Sequence, residues 1–181
     1  KPLQKPYPPV WVMGQSPQSF DAGVRRGFNF LTGGVISIEQ IVEFRNLFDK
    51  AVAKYQPTPI PAFGVNLKAY VTDSEEEALL MAKEALWNMR VSTSLRLGTQ
   101  KVERGRAVPV TIEKEPSPLE LVKQRCLLYG TPDQCIQHIQ RLKDEASIDH
   151  LSLEFWQGEM PHDKVLRSME RFAKDVMPYF L

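Results

Sequence analysis

Several things are scarce in this sequence, and each scarcity excludes something. Only two of its 181 residues are cysteine, Cys126 and Cys135. That is too few for a disulfide scaffold, and neither has partners at a zinc-ligand spacing. The three histidines, His138, His150 and His162, share no metal spacing either, so no metal site is expected. No Ser or Cys stands in a recognisable nucleophile motif near them. Charge of one sign is not in excess: 23 Lys and Arg face 22 Asp and Glu, for a net charge of +1. A nucleic-acid or anionic-lipid partner normally leaves an electrostatic footprint, and none is present. No apolar run approaches the roughly 18 residues of a membrane helix, and no basic-then-apolar leader is visible. A reducing, cytoplasmic compartment is the expectation. The chain also begins at Lys1 rather than Met, which fits a portion of a longer protein.

What is present is ordinary globular material, 43% hydrophobic and 25% charged, enough for one sizeable core. Fourteen prolines cluster at element boundaries, where a folded α/β chain tolerates them. Val10–Met13 predicts a short buried strand. Ser16 then suits an N-cap and Pro17 the first helical position. Gly27 ends that helix, and Phe28–Thr32 predicts a second buried strand. Ser37 with Gln40 forms a capping box, ahead of a helix carrying Ile41, Phe44, Phe48 and Val52. The clearest strand is 63–71, where Phe63, Val65, Leu67, Ala69 and Val71 alternate with Gly64, Asn66, Lys68 and Tyr70. Ser74 with Glu77 caps the next helix. Residues 91–118 read as a long irregular excursion. Thr131 with Gln134 makes another capping box, Leu151, Leu153 and Phe155 alternate as a fourth strand, and 165–177 is amphipathic. The resulting order, four strand–helix units, predicts a parallel sheet with right-handed crossovers.

Chemistry is most plausible at the loop Gly14-Gln15-Ser16-Pro17-Gln18-Ser19. It follows a strand and opens a helix, where backbone N–H groups and the positive dipole end favour a phosphate. Ser16 and Ser19 each offer a hydroxyl, and Gly14 permits close backbone approach. Simple helix capping explains the same residues, so both readings stand. Asn66, Lys68 and Tyr70 share one face of the third strand and point either at a barrel interior or at solvent. Glu154 and Trp156 lie near the carboxyl end of the fourth strand, where sites in parallel folds gather. Arg96, Lys101, Arg104 and Arg106 put basic charge in the excursion, as a solvated loop or a mobile lid. His138 is expected to be exposed, and Cys135 to be a small packing residue.

Four segments together resemble the flavin-dependent luciferase-like monooxygenases, a (β/α)8 superfamily. They are residues 9–19 (PVWVMGQSPQS), 26–31 (RGFNFL), 130–136 (GTPDQCI) and 167–172 (RSMERF) with 175–178 (DVMP). The resemblance spans nearly all of the chain apart from the excursion, and it fits the carboxyl-terminal half of the family. It implies a fold of the (β/α)8 TIM-barrel type with only the last four βα units in this chain, residues 1–181 forming that half barrel with an excursion at about 91–118. It implies that Gln15, Ser16 and Ser19, with Gly14, hold the flavin phosphate. The excursion falls where the family carries its mobile active-site loop, and Gly33 and Gly34 imply a roomier flavin pocket.

The activity implied is oxidation of a small organic substrate by O2 with reduced FMN, in the cytoplasm, with a separate flavin reductase as partner. A sister reading uses the deazaflavin F420. A third is a non-catalytic flavin-binding or dimerisation remnant. The family's usual catalytic His comes from its amino-terminal half, so no catalytic residue is assigned within this chain. A half barrel exposes strand edges and apolar surface, which predicts association, as a dimer.

Overall fold

The computed structural model describes residues 2–108 and 115–181. The elements run β1 (Trp11–Met13), α1 (Pro17–Val24), β2 (Asn29–Gly34), α2 (Ile38–Tyr55), β3 (Phe63–Val71), α3 (Glu75–Leu97), β4 (Lys101–Glu103), β5 (Arg106–Val108), α4 (Pro118–Lys123), β6 (Leu128–Gly130), α5 (Pro132–Ala146), β7 (His150–Glu154) and α6 (His162–Arg171). A π-helical turn, Phe172–Val176, and a 3-10 turn, Met177–Phe180, follow. The strand–helix alternation and parallel ladders match the expected α/β architecture.

The chain divides into two compact units, Lys1–Leu67 with Gln140–Ser152, and Lys68–Ile139 with Leu153–Leu181. In the first, β1 pairs with β2 through Val12 and Phe30, and β2 with the start of β3 through Phe30 and Phe63. Its core is a cluster of four phenylalanines. Phe20 and Phe30 have ring centroids 5.0 Å apart, and Phe48 and Phe63 5.3 Å. All four are at most 1% exposed. The Phe63 N–H donates to Asp149 Oδ2 at 2.9 Å, and the Asp149 N–H donates back to the Phe63 carbonyl at 2.8 Å. This exchange seats the start of β7 beside β3. The prediction of a buried first strand is corrected here: Met13 is 63% exposed and Trp11 38%. In this sheet β1 is the edge strand, so among the described residues no further strand pairs with its other side.

In the second unit the end of β3 pairs with β6, Tyr70 opposite Tyr129. The core takes Ala78, Ala82, Ala85 and Leu86 from α3, with Leu121, Leu127 and Leu128. Cys135 packs here, its Sγ 3.9 Å from the Leu128 and Gly130 carbonyls, and burial pushes its thiol up to about 12. Both cysteines are buried.

The irregular excursion expected at 91–118 is corrected. No Gly or Pro interrupts 75–97, so α3 continues to Leu97 and stops only where Gly98 takes a left-handed φ of 68°. Arg96 therefore belongs to the last turn of α3. Residues 101–108 form a β-hairpin whose Arg104–Gly105 turn has φ of 50° and 78°, the left-handed pair that matches strand twist. Ser117, Pro118 and Glu120 then cap α4 with a complete capping box. Residues 109–114 of that excursion lie outside the described residues.

Candidate functional site

The loop after β1 is built by short-range rules. Ser16 is extended at φ −123°, ψ 153°, and its Oγ accepts from the Ser19 N–H at 3.2 Å. Pro17 occupies the first helical position, where its missing N–H costs nothing. The Ser16 and Ser19 hydroxyl oxygens are 2.9 Å apart, and both residues are partly exposed. The Gln15 Nε2 donates to the Gly33 carbonyl at 2.7 Å, and the Gly14 N–H to the Leu31 carbonyl at 3.2 Å. These two bonds tie the loop to β2. The first of them commits one of the two N–H donors of the Gln15 side-chain amide to β2.

Gly14 is the narrowest point of the loop. A Cβ there would lie 3.0 Å from Ser19 Cβ and 3.2 Å from Phe30 Cε1. The four residues expected to hold a phosphate therefore come together in one turn: two hydroxyls and the first turn of α1, where Ser16 already takes the Ser19 N–H, over a floor that leaves little room for a side chain at Gly14. This donor set suits a phosphate monoester. Gly33 has its own reason to be glycine, since a Cβ would lie 2.2 Å from the Asn66 carbonyl oxygen. It is required by the contact between β2 and β3.

In the second unit the structure joins Lys68 and Glu154, as residues of one face should be. Lys68 Nζ donates to Glu154 Oε2 at 2.9 Å and to Gln157 Oε1 at 2.7 Å. Lys68 is 9% exposed and Gln157 1%. The Gln157 Nε2 donates to the Glu154 carbonyl at 3.0 Å, so the turn after β7 holds its own acceptor in place. Trp156 is 60% exposed, with its ring 5.7 Å from that of His162. Gln157 gave no signal in the sequence, because one polar residue in an aperiodic turn looks like any other.

Tyr70 departs from the expected grouping. It is 2% exposed, and its hydroxyl is bonded to Glu77. Burial first, then the charge and hydrogen bond of Glu77, push it up to about 12. Glu77 does not reach back to complete the box with Ser74. Its carboxylate instead accepts from Lys164 Nζ and from Thr72 Oγ1, each at 2.6 Å. These bonds, the one from Lys164 foremost, hold it below the usual glutamate range. His138 is corrected as well: it is 4% exposed, because α5 turns that face inward. The His150 ring lies 5.0 Å from that of Trp11, tilted by 45°. Among the described residues no group of three His, Cys, Asp or Glu is placed to hold a metal, and no helix is long and apolar enough to cross a membrane.

A family model described as luciferase-like monooxygenase matches residues 1–150. The chain is 26% identical, over 182 aligned positions, to the oxygenase component of a flavin-dependent trigonelline monooxygenase from Acinetobacter baylyi. That alignment covers 99% of this chain and 51% of the relative, so the chain spans about half the length of the curated relative it matches. Among solved structures, the monooxygenase RslO1 from Streptomyces bottropensis superposes with a TM-score of 0.72 at 21% identity, covering 98% of this chain and 50% of that one. The oxygenating constituent of 3,6-diketocamphane monooxygenase from Pseudomonas putida, in complex with FMN, gives 0.65 at 19% identity, covering 96% and 49%. These likenesses show the fold: a partial (β/α) barrel of the luciferase-like type.

Proposed function

Because the chain belongs to the luciferase-like monooxygenase family, we propose that it is the flavin-phosphate-binding portion of an oxygenase that uses reduced FMN and O2 to oxidise a small organic substrate. A separate flavin reductase would supply the reduced cofactor, and the oxygenase would work as a dimer. The observation that carries the reading is the hydroxyl pair Ser16 and Ser19 at the open end of α1, 2.9 Å apart above Gly14.

When bound, the flavin supplies the oxygen chemistry, and the protein supplies binding and orientation. In this reading whichever of the Ser16 and Ser19 hydroxyls donates to the other turns its hydrogen away, and both donate to the phosphate oxygens. In the first turn of α1 Pro17 has no N–H and those of Ser19 and Phe20 already donate to Ser16, so the Gln18 N–H is the donor that helix formation has aligned there. The Gln15–Gly33 bond keeps the loop from following the ligand outward. Hydrogen bonds to a charged group are worth about 1.5–3 kcal/mol each, so two hydroxyls suffice to anchor the cofactor by its phosphate.

The test uses the full-length protein with chemically reduced FMN, reduced F420 in a parallel arm, and labelled O2 over a panel of small organic substrates. The expected result is label in a product only with FMN. Turnover with F420 alone, or no substrate-dependent consumption of either cofactor, contradicts the proposal.

A further inference from the structure

A cavity of about 470 Å³ lies in the second unit between the start of α3, helix α4 and the start of α5. It uses none of the residues of the Ser16 loop or of the Lys68 group. Its size falls within the roughly 300–1,000 Å³ of small-molecule sites. Leu79, Leu119, Val122 and Leu127 give it apolar walls, and buried His138 also lines it.

Arg125 sets its chemistry. Helix α4 ends with the Arg125 N–H on the Val122 carbonyl at 3.1 Å and the Cys126 N–H on the Leu121 carbonyl at 2.9 Å. That paired ending places one residue in the left-handed region, where glycine is the usual occupant. Arginine stands there instead, at φ 55°, a strained choice for a residue with a Cβ. The strain brings a guanidinium to the cavity. Its Nη1 is buried from water and has no hydrogen-bond partner among the described residues, an expensive state for a charged donor. Glu75 and Glu76 line the same cavity without pairing to it, and Glu75 is engaged by Gln134 Nε2 at 2.6 Å. Lys123 also lines the cavity, so two cations and two carboxylates balance there, which disfavours a polyanion and leaves the Arg125 nitrogen as the group that favours a single carboxylate.

We propose that this cavity binds a small organic carboxylate with an apolar body, its carboxylate on the Arg125 guanidinium and its body against the leucine and valine walls. The site is distinct from the flavin-phosphate loop. Arg125→Gly removes the guanidinium and places at φ 55° the residue that conformation prefers, so the variant should fold at least as stably as the parent.

The experiment is calorimetric titration of the full-length protein with benzoate and with its neutral analogue benzamide. Benzoate should bind at least tenfold tighter than benzamide. Arg125→Gly should lose at least tenfold in benzoate affinity while its melting temperature stays level or rises and FMN affinity is unchanged. No benzoate binding at millimolar concentration, equal binding by Arg125→Gly, or a parallel loss of FMN affinity overturns the proposal.

Discussion

The hydroxyl oxygens of Ser16 and Ser19 stand 2.9 Å apart, one at the cap of α1 and one in its first turn. Ser16 also accepts the Ser19 N–H, so capping and the proposed phosphate contact fall on one side chain. Substitution separates them. Ser16→Ala should cost about 1 kcal/mol of stability. Ser16→Asp keeps a capping acceptor and should unfold within a few tenths of a kcal/mol of the parent, yet its negative charge should weaken FMN binding more than alanine does. Denaturant melts beside FMN titrations read both effects. A Ser16→Asp protein that binds FMN like the parent contradicts the phosphate assignment.

Gly33→Ala tests the contact of β2 with β3. The added Cβ meets a backbone carbonyl at 2.2 Å, and backbone yields less readily than a flexible side chain. A loss of about 1–3 kcal/mol, in the range of overpacked cores, is expected in urea unfolding. An unchanged midpoint would mean that β2 and β3 part freely at this position.

Lys68→Met tests the buried ammonium. Its removal strands the Gln157 carbonyl, in a residue only 1% exposed, while Glu154 remains half in water with a side-chain exposure of 48%. The cost should be about 1–3 kcal/mol, set mainly by Gln157. Glu154→Gln should cost less than half of that. The reverse order, read from denaturant midpoints, contradicts this ranking.

The Glu77 cluster predicts pH dependence at both extremes. Glu77 is held below its ordinary 4.5 in the folded chain, so its contribution is full above that value and fades as pH falls through the depressed one. Glu77→Gln should therefore be least stable relative to the parent near neutrality, with the gap closing in acid. Tyr70 runs the other way: raised from 10.0 to about 12, it favours the folded state below pH 10 and withdraws that support as pH climbs toward 12. Burial also raises Tyr129. In a spectroscopic titration, tyrosinate from these two residues should appear only on alkaline unfolding. A gap that widens in acid, or early ionisation of all tyrosines, contradicts the account.

Where local chemistry decides, the sequence was readable. The Ser37–Gln40 and Thr131–Gln134 boxes form as their spacing requires, and the strict alternation of 63–71 is β3. The Ser16 cap was visible and forms; the anion site proposed for the same loop rests on the same physical reason, a helix start beside hydroxyls. The hairpin at 101–108 was hidden because arginine rather than asparagine precedes Gly105 in its turn. Helix α4 carried a legible Ser117–Glu120 signal that its proline-rich setting obscured. Gln157, the redirected carboxylate of Glu77 and the inward turn of His138 depend on partners remote in sequence, and no local pattern encodes those.

The central claim is that this loop holds a flavin by its phosphate, and the most direct test compares FMN with riboflavin, which lacks that group. The full-length protein and its Ser16→Ala, Ser19→Ala double variant would each be titrated with both by fluorescence quenching. FMN should bind the parent at least tenfold tighter than riboflavin, and the double variant should lose most of that preference while its riboflavin affinity stays constant. Equal affinities in the parent, or a preference undiminished in the variant, would contradict the account.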